Sequence, residues 1–136
     1  MENKLKDIII AVDFDSTIAH YQGWKGVGVF GKPILSTAWA LGKFREMGAT
    51  IIVHTCRREI PYVAGYLIEH KIPYDYINFS PKTERLKSSD MKINADIYID
   101  DKAINFRGEW KDTYLQVVNF RPWEKAFGDK AISHKS

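Results

Sequence analysis

The stretch Ile8-Ile9-Ile10-Ala11-Val12-Asp13-Phe14-Asp15-Ser16-Thr17-Ile18 decides the fold. Its unbroken apolar run, rich in β-branched residues, has the character of a strand buried on both faces of a parallel sheet. The run stops at two carboxylates one residue apart. While the backbone stays extended, residues two apart point to the same side, so Asp13 and Asp15 converge at the strand's C-terminal end, where open α/β sheets bind ligands. Carboxylates that close repel each other and require a cation, a shared proton or a solvated gap.

Working outward, the same alternation of strands and helices repeats. Residues 20–33 are rich in glycine and aromatics and read as a short flap or hairpin over the strand end, with Tyr21, Trp24 and Phe30 packing or closing over it. Gly26-Val27-Gly28-Val29-Phe30-Gly31 fits G-x-G-x-x-G, but that fingerprint should turn directly from the first strand into a helix, and Asp13 and Asp15 intervene here. Lys32-Pro33 opens a helix whose apolar face is Ile34, Ala38, Leu41, Phe44 and Met47, with Gly48 as its stop. Residues 49–55 form a second buried strand ending in Thr55. A helix over 60–71 follows, then a third strand over 72–79. A polar segment, 80–94, carries Lys82, Lys87 and Lys92. The fourth strand ends in Asp100-Asp101, a fifth is expected over 114–120, and residues 121–136 form a polar tail, with one short helix around 123–127 and then disorder.

The pattern predicts one α/β domain over residues 1–136: a three-layer, Rossmann-like parallel sheet of five strands with helices on both faces, a short flap after the first strand and no cap domain. The 136 residues, 45% hydrophobic and 27% charged, suit one soluble core. A net charge of +3 is compatible with an anionic substrate, without the clustered basic footprint of a nucleic-acid binder. One cysteine, Cys56, excludes an internal disulfide and fits a reducing, cytoplasmic compartment; next to the site but without a base partner in sequence, it reads as a small buried side chain. No apolar run is long enough to span a membrane.

In a parallel sheet all strand C-termini lie at one edge, so Asp13/Asp15, Thr55 and Asp100/Asp101 meet. A cluster of oxygen donors, without Cys or paired His at ligand spacing, suits Mg²⁺ rather than Zn²⁺. Such a site is equipped for phosphoryl transfer. Asp13 serves as the carboxylate nucleophile, forming an aspartyl phosphate. Asp15 protonates the leaving oxygen and then activates water. Thr55 and backbone N–H groups of the two loops, those around Phe14 and Cys56, hold phosphoryl oxygens. A lysine balances the charge. Arg57 and Arg58 can meet a further anionic group or simply sit solvated at a helix start. His54 lines a strand end passively, His20 belongs to the surface, and Trp39, Trp110 and Trp123 pack.

Asp13-Phe14-Asp15-Ser16-Thr17 resembles the DxDxT motif of the haloacid dehalogenase-like phosphohydrolases. Residues 51–55 resemble their second motif, a strand ending in Ser or Thr, and Ile97-Tyr98-Ile99-Asp100-Asp101 resembles their acidic fourth motif. The resemblance spans the first strand to the fifth, in the expected order, and is nearest to small capless bacterial and phage members sharing Lys-x-x-Ala-Asp-x-x-Ile-Asp-Asp, which residues 92–101 fit position by position. Ser16 stands where Gly is commoner. The resemblance implies that Lys92 is the third-motif lysine, with Lys82 and Lys87 as competitors. It also implies a Mg²⁺ site of Asp13, the Asp15 carbonyl and the acidic pair, with Asp101 in contact and Asp100 beside or behind it. The implied activity is a Mg²⁺-dependent phosphatase whose substrate is a phosphorylated small molecule, a nucleotide or a nucleic-acid end. Alternatives are a phosphatase of sugar or metabolite phosphates and a non-catalytic phosphate-binding module. The order of the strand-end groups argues against a response-regulator receiver, and a two-metal nuclease would give Thr55 and Lys92 no role.

Overall fold

The computed structural model describes residues 3–82 and 92–124. Four parallel strands form one sheet in the order β3-β2-β1-β4: β1 (Ile9–Asp13), β2 (Thr50–His54), β3 (Tyr76–Ile77) and β4 (Ile97–Ile99). Helix α1 (Thr37–Glu46) joins β1 to β2, α2 (Ile60–Glu69) joins β2 to β3, and α3 (Trp110–Val118) follows β4. The two apolar runs, as their composition requires, occupy the middle of the sheet.

Side-chain alternation divides the core. Ile10 and Val12 pair with Ile51 and Val53, and this face packs against Leu41 of α1 and Val63, Tyr66 and Leu67 of α2. Ile9, Ala11 and Ile52 point the other way, into a much smaller cluster with Ile93 and Ala95.

The outer strands are shorter than their sequence suggests. The expected strand over 72–79 narrows to Tyr76–Ile77, and side chains continue the pairing beyond it. Asp75 accepts from the Ile51 N–H at 2.8 Å, while Asn78 donates to and accepts from the Thr55 backbone, both at 2.9 Å. Across the sheet, Asp96 accepts from the Ile9 N–H at 2.8 Å. These side chains satisfy backbone groups that a longer ladder would have paired.

The expected fifth strand at 114–120 is instead helix α3. Tyr114, Val117 and Val118 favour strands, but Glu109 accepts from the Lys111 and Asp112 N–H groups at the helix start, and Gln116 donates to Asp112 one turn on. Local capping and an i,i+4 pair outweigh propensity. The first helix begins at Thr37, after Ser36 in a left-handed conformation, rather than at Pro33. Of the short helix expected around 123–127, residues 125–127 lie outside the described residues, as does Lys87. Trp39, Trp110 and Trp123, expected to pack, are largely exposed. Among the described residues no helix is long and apolar enough to cross a membrane.

The flap is present as a loop closed at its base. His20 N–H donates to the Lys32 carbonyl and Ile34 N–H to the Ile18 carbonyl, both at 2.8 Å. Gly31 has no alternative here, since a Cβ would lie 2.1 Å from the His20 carbonyl oxygen.

Candidate functional site at the C-terminal edge of the sheet

Strand register builds the site. Asp13 is level with His54 on β2, and Val12 is level with Ile99 on β4, which places Asp100 in the next row. Neighbouring strands lie about 4.8 Å apart and level residues share a face. One ligand atom each from Asp13, His54 and Asp100 therefore gathers within 4.8 Å of the others. The oxygen-only cluster expected from the sequence thus contains an imidazole nitrogen.

The Asp13 carboxyl is pushed up to about 8, first by burial, then by its hydrogen-bonding contact with Asp101 and by the charges of Asp100 and Asp101; the Phe14 N–H, donating to it, opposes the rise. Asp101 is almost completely enclosed, with its side chain 1% exposed. Its Oδ2 accepts from Lys102 Nζ at 2.9 Å, while its Oδ1 is buried without a hydrogen-bond partner. Burial works against the Lys102 ammonium, yet contact with Asp101 and the charges of Asp13 and Asp100 raise its pKa overall. Asp100 turns back to accept from the Lys102 backbone N–H at 2.8 Å. Lys102 is a site residue that sequence reasoning missed, although its position directly after the acidic pair was a signal.

Asp15 is not free in this conformation. Arg57 grips it through Nε at 2.9 and 3.2 Å and through a second guanidinium nitrogen at 3.0 Å. Arg57 also reaches Glu59 at 3.3 Å and lies 4.6 Å from the Phe30 ring centroid, with 6% of its side chain exposed. Glu59 in turn accepts from Gly28 N–H in the flap. Arg57 therefore ties three segments together instead of facing a solvent-borne anion. Its neighbour Arg58 is exposed.

Thr55 is buried and its hydroxyl accepts from the Arg57 backbone N–H at 3.0 Å. The Phe14 side chain lies wholly in the core, edge-on to Phe30 and Tyr66, so only its backbone can face a ligand. Cys56 is exposed, contrary to the expectation of a small buried side chain; the β2 alternation ends at Thr55, and Cys56 turns outward on the loop.

Of the two candidate lysines among the described residues, Lys92 lines the cleft beside the site. It shares this cleft of about 780 Å³ with His54, Tyr98, Asp100 and Asn105, and its Nζ sits 4.4 Å from the Tyr98 ring centroid. Lys82 is ion-paired with Asp96, the residue that fastens the start of β1.

The loop after Asp15 is held from far along the chain. Trp123 Nε1 donates to the Ser16 carbonyl at 2.7 Å, and Glu124 accepts from Tyr21 N–H at 2.9 Å while pairing with His20 at 2.7 Å. His20 thus has a tethering role at the base of the flap. Ser16 adopts a left-handed backbone, φ 65°, which lets the chain reverse straight after the acidic pair.

No family model and no curated protein matches the chain. The fold is similar to the solved structure of a conserved protein coded by a locus of Bacteroides thetaiotaomicron. That likeness covers 81% of this chain and 88% of the other, with a TM-score of 0.58 and 21% sequence identity. At that identity it bears on the fold alone.

Proposed function

We propose that this protein is a divalent-metal-dependent phosphatase of the haloacid dehalogenase-like type, acting through an aspartyl phosphate on Asp13. The fold implied is the three-layer, capless form, working in the cytoplasm. The observation carrying the reading is the juxtaposition of Asp13 with Asp100 and His54 at the end of a parallel sheet, beside a cleft lined by Lys92. The donor set fits a divalent cation. It gathers carboxylates that repel one another, with Asp13 pushed toward neutrality by burial and by the adjoining Asp101 and Asp100, and no hydrogen-bond donor among the described residues reaches the buried Asp101 Oδ1. Asp13 and Asp100 would hold the cation, with Asp101 and the Asp15 carbonyl as further candidates. Mg²⁺ is commonly bound through one or two carboxylates, with water and phosphate oxygens completing its octahedron. Bound there, it would neutralise the carboxylates and attract a phosphate.

The chain's own groups supply the rest. Asp13 attacks phosphorus once it has lost its proton, and Lys92 and Lys102 offset charge on the phosphoryl oxygens. Asp15 must turn away from Arg57 to exchange a proton with the leaving oxygen. A net charge of +3 and the exposed Arg58 suit a phosphorylated small molecule, a nucleotide or a nucleic-acid end. The Arg57 grip on Asp15 favours one second reading, a phosphate-binding module that does not turn over.

Hydrolysis of an aryl phosphate with Mg²⁺, with EDTA, and by Asp13→Asn separates the two. We expect activity that needs both the metal and Asp13, falling to background in Asp13→Asn while circular dichroism stays unchanged. A hydrolytically active Asp13→Asn protein would sink the nucleophile assignment. Mg²⁺ and phosphate binding without turnover would favour the binding module.

A further inference from the structure

We infer that His54 is a direct ligand of the bound cation, which makes the centre selective for a first-row transition ion such as Mn²⁺ over Mg²⁺. The inference rests on the metal site of the proposed phosphatase and concerns the chemistry of that site. Its first support is register: His54 is the residue level with Asp13, and both continue the face that carries Ala11 and Ile52, so the imidazole is delivered to the carboxylate by sheet geometry rather than by a loop.

The second support is spacing. Of three ligands on an octahedral ion with bonds of about 2.1 Å, one pair at most stands opposite, about 4.2 Å apart, and the others stand about 3.0 Å apart. The donor atoms of Asp13, His54 and Asp100 all lie within 4.8 Å of one another, so side-chain closure by no more than about 1.8 Å brings them to bonding geometry.

A third observation adjoins the trio. Asp101 is enclosed in contact with Asp13, and among the described residues no hydrogen-bond donor satisfies its Oδ1. A buried carboxylate oxygen without a partner costs free energy unless a cation or water completes it.

Selectivity follows from the donor set. Mg²⁺ is a hard ion that keeps oxygen ligands and water, whereas imidazole suits Fe²⁺, Ni²⁺, Cu²⁺ and Zn²⁺. Mn²⁺, at the weak end of that series, accepts a nitrogen ligand more readily than Mg²⁺ does and is the ion whose spectrum reports it. A site of carboxylates alone would distinguish these ions weakly; a nitrogen in the first sphere adds a contribution that Mg²⁺ does not share.

The test uses the full chain stripped of metal. Mn²⁺ binding is followed by loss of the free-ion electron paramagnetic resonance signal, Mg²⁺ binding by competition against it, and pulsed spectra report whether a ¹⁴N nucleus is directly bound. In the wild type we expect ¹⁴N modulation from one imidazole. In His54→Asn we expect that modulation to vanish and Mn²⁺ affinity to fall by about tenfold or more, with Mg²⁺ affinity changing less than about threefold. Asp13→Asn should weaken both ions, which fixes the binding to this cluster. Absence of ¹⁴N modulation in the wild type, or equal losses of Mn²⁺ and Mg²⁺ in His54→Asn, would overturn the inference. The wild-type spectrum decides even where His54→Asn does not fold. Nitrogen coupling without Asp13-dependent hydrolysis would remove the phosphatase and leave the ligand assignment standing; hydrolysis without nitrogen coupling would do the reverse.

Discussion

The two faces of the sheet differ in depth, and the difference separates support from chemistry. On one face Ile10, Val12, Ile51 and Val53 meet two helices and the aromatic group of Phe14, Phe30 and Tyr66. On the other, Ile9, Ala11 and Ile52 meet only Ile93 and Ala95 among the described core residues. Asp13 and His54 continue the thin face, whereas Phe14 and Ile18 return the chain to the thick one. The carboxylate at this end is nonetheless desolvated, since burial is the first cause of the rise of the Asp13 pKa. The thick face meanwhile fixes β1 and β2, and with them the row of Asp13 and His54.

The largest contrast to test is catalytic. Lys92, in the cleft on the thin side, should matter far more than Lys82. For Lys92→Ala we expect a loss on the order of 10²-fold in kcat/KM for aryl phosphate, and for Lys82→Ala a loss below about tenfold, most of it through stability. The reverse ranking would move the charge-balancing role to Lys82 and break the link between the thin face and the chemistry.

Next in size is packing. Ile51→Ala on the thick face should cost about 4 kcal/mol, and Ile9→Ala about 2 kcal/mol, because a small cluster near the surface can collapse into the space left behind. Urea denaturation of the two variants measures this directly. Equal costs would mean that the two faces are equally rigid.

A smaller effect is the pH dependence of the metal-free protein. Asp13 binds its proton more tightly in the folded state, where its pKa is pushed up to about 8, than an ordinary aspartate with its value of 3.8. Between those two values the folded state holds the extra proton, so stability falls as pH rises through that window. Thermal melts without metal should decline from acid toward alkaline pH, and the decline should flatten in Asp13→Asn. Added divalent cation should stabilise most at the alkaline end, since it replaces the proton.

The smallest change concerns the tether at the loop after Asp15. Trp123→Phe keeps a ring but removes the donor to the Ser16 carbonyl, and should cost about 1 kcal/mol by urea denaturation.

The central strands, α2 and the meeting of acidic strand ends were legible in the sequence, because long apolar runs and helical periodicity are strong local signals. Helix α3 was not. Tyr114, Val117 and Val118 have strand character, and the deciding contribution came from a cap four residues upstream of Thr113, at Glu109. The grip of Arg57 on Asp15 joins residues 42 apart, and no periodicity reports which acid an arginine selects. His54 is different, since a signal existed: counting alternation from Ile52 places it on the same face as Asp13 once the two strands are known to be adjacent. The exposed tryptophans show the limit of assigning large aromatics to packing by size alone.

The tether from Trp123 and Glu124 also bears on the order in which the site assembles. The residues it joins are 103 to 107 apart in sequence, so these contacts rank among the least local in the molecule and close late in folding. During vectorial synthesis, β1 and its acidic pair are made first, while the segment that steadies the loop beyond them is made more than a hundred residues later. A nascent chain would therefore carry its carboxylates well before the loop beyond them is steadied, which would make capture of the proposed cation an event of the assembled fold rather than a nucleus for it.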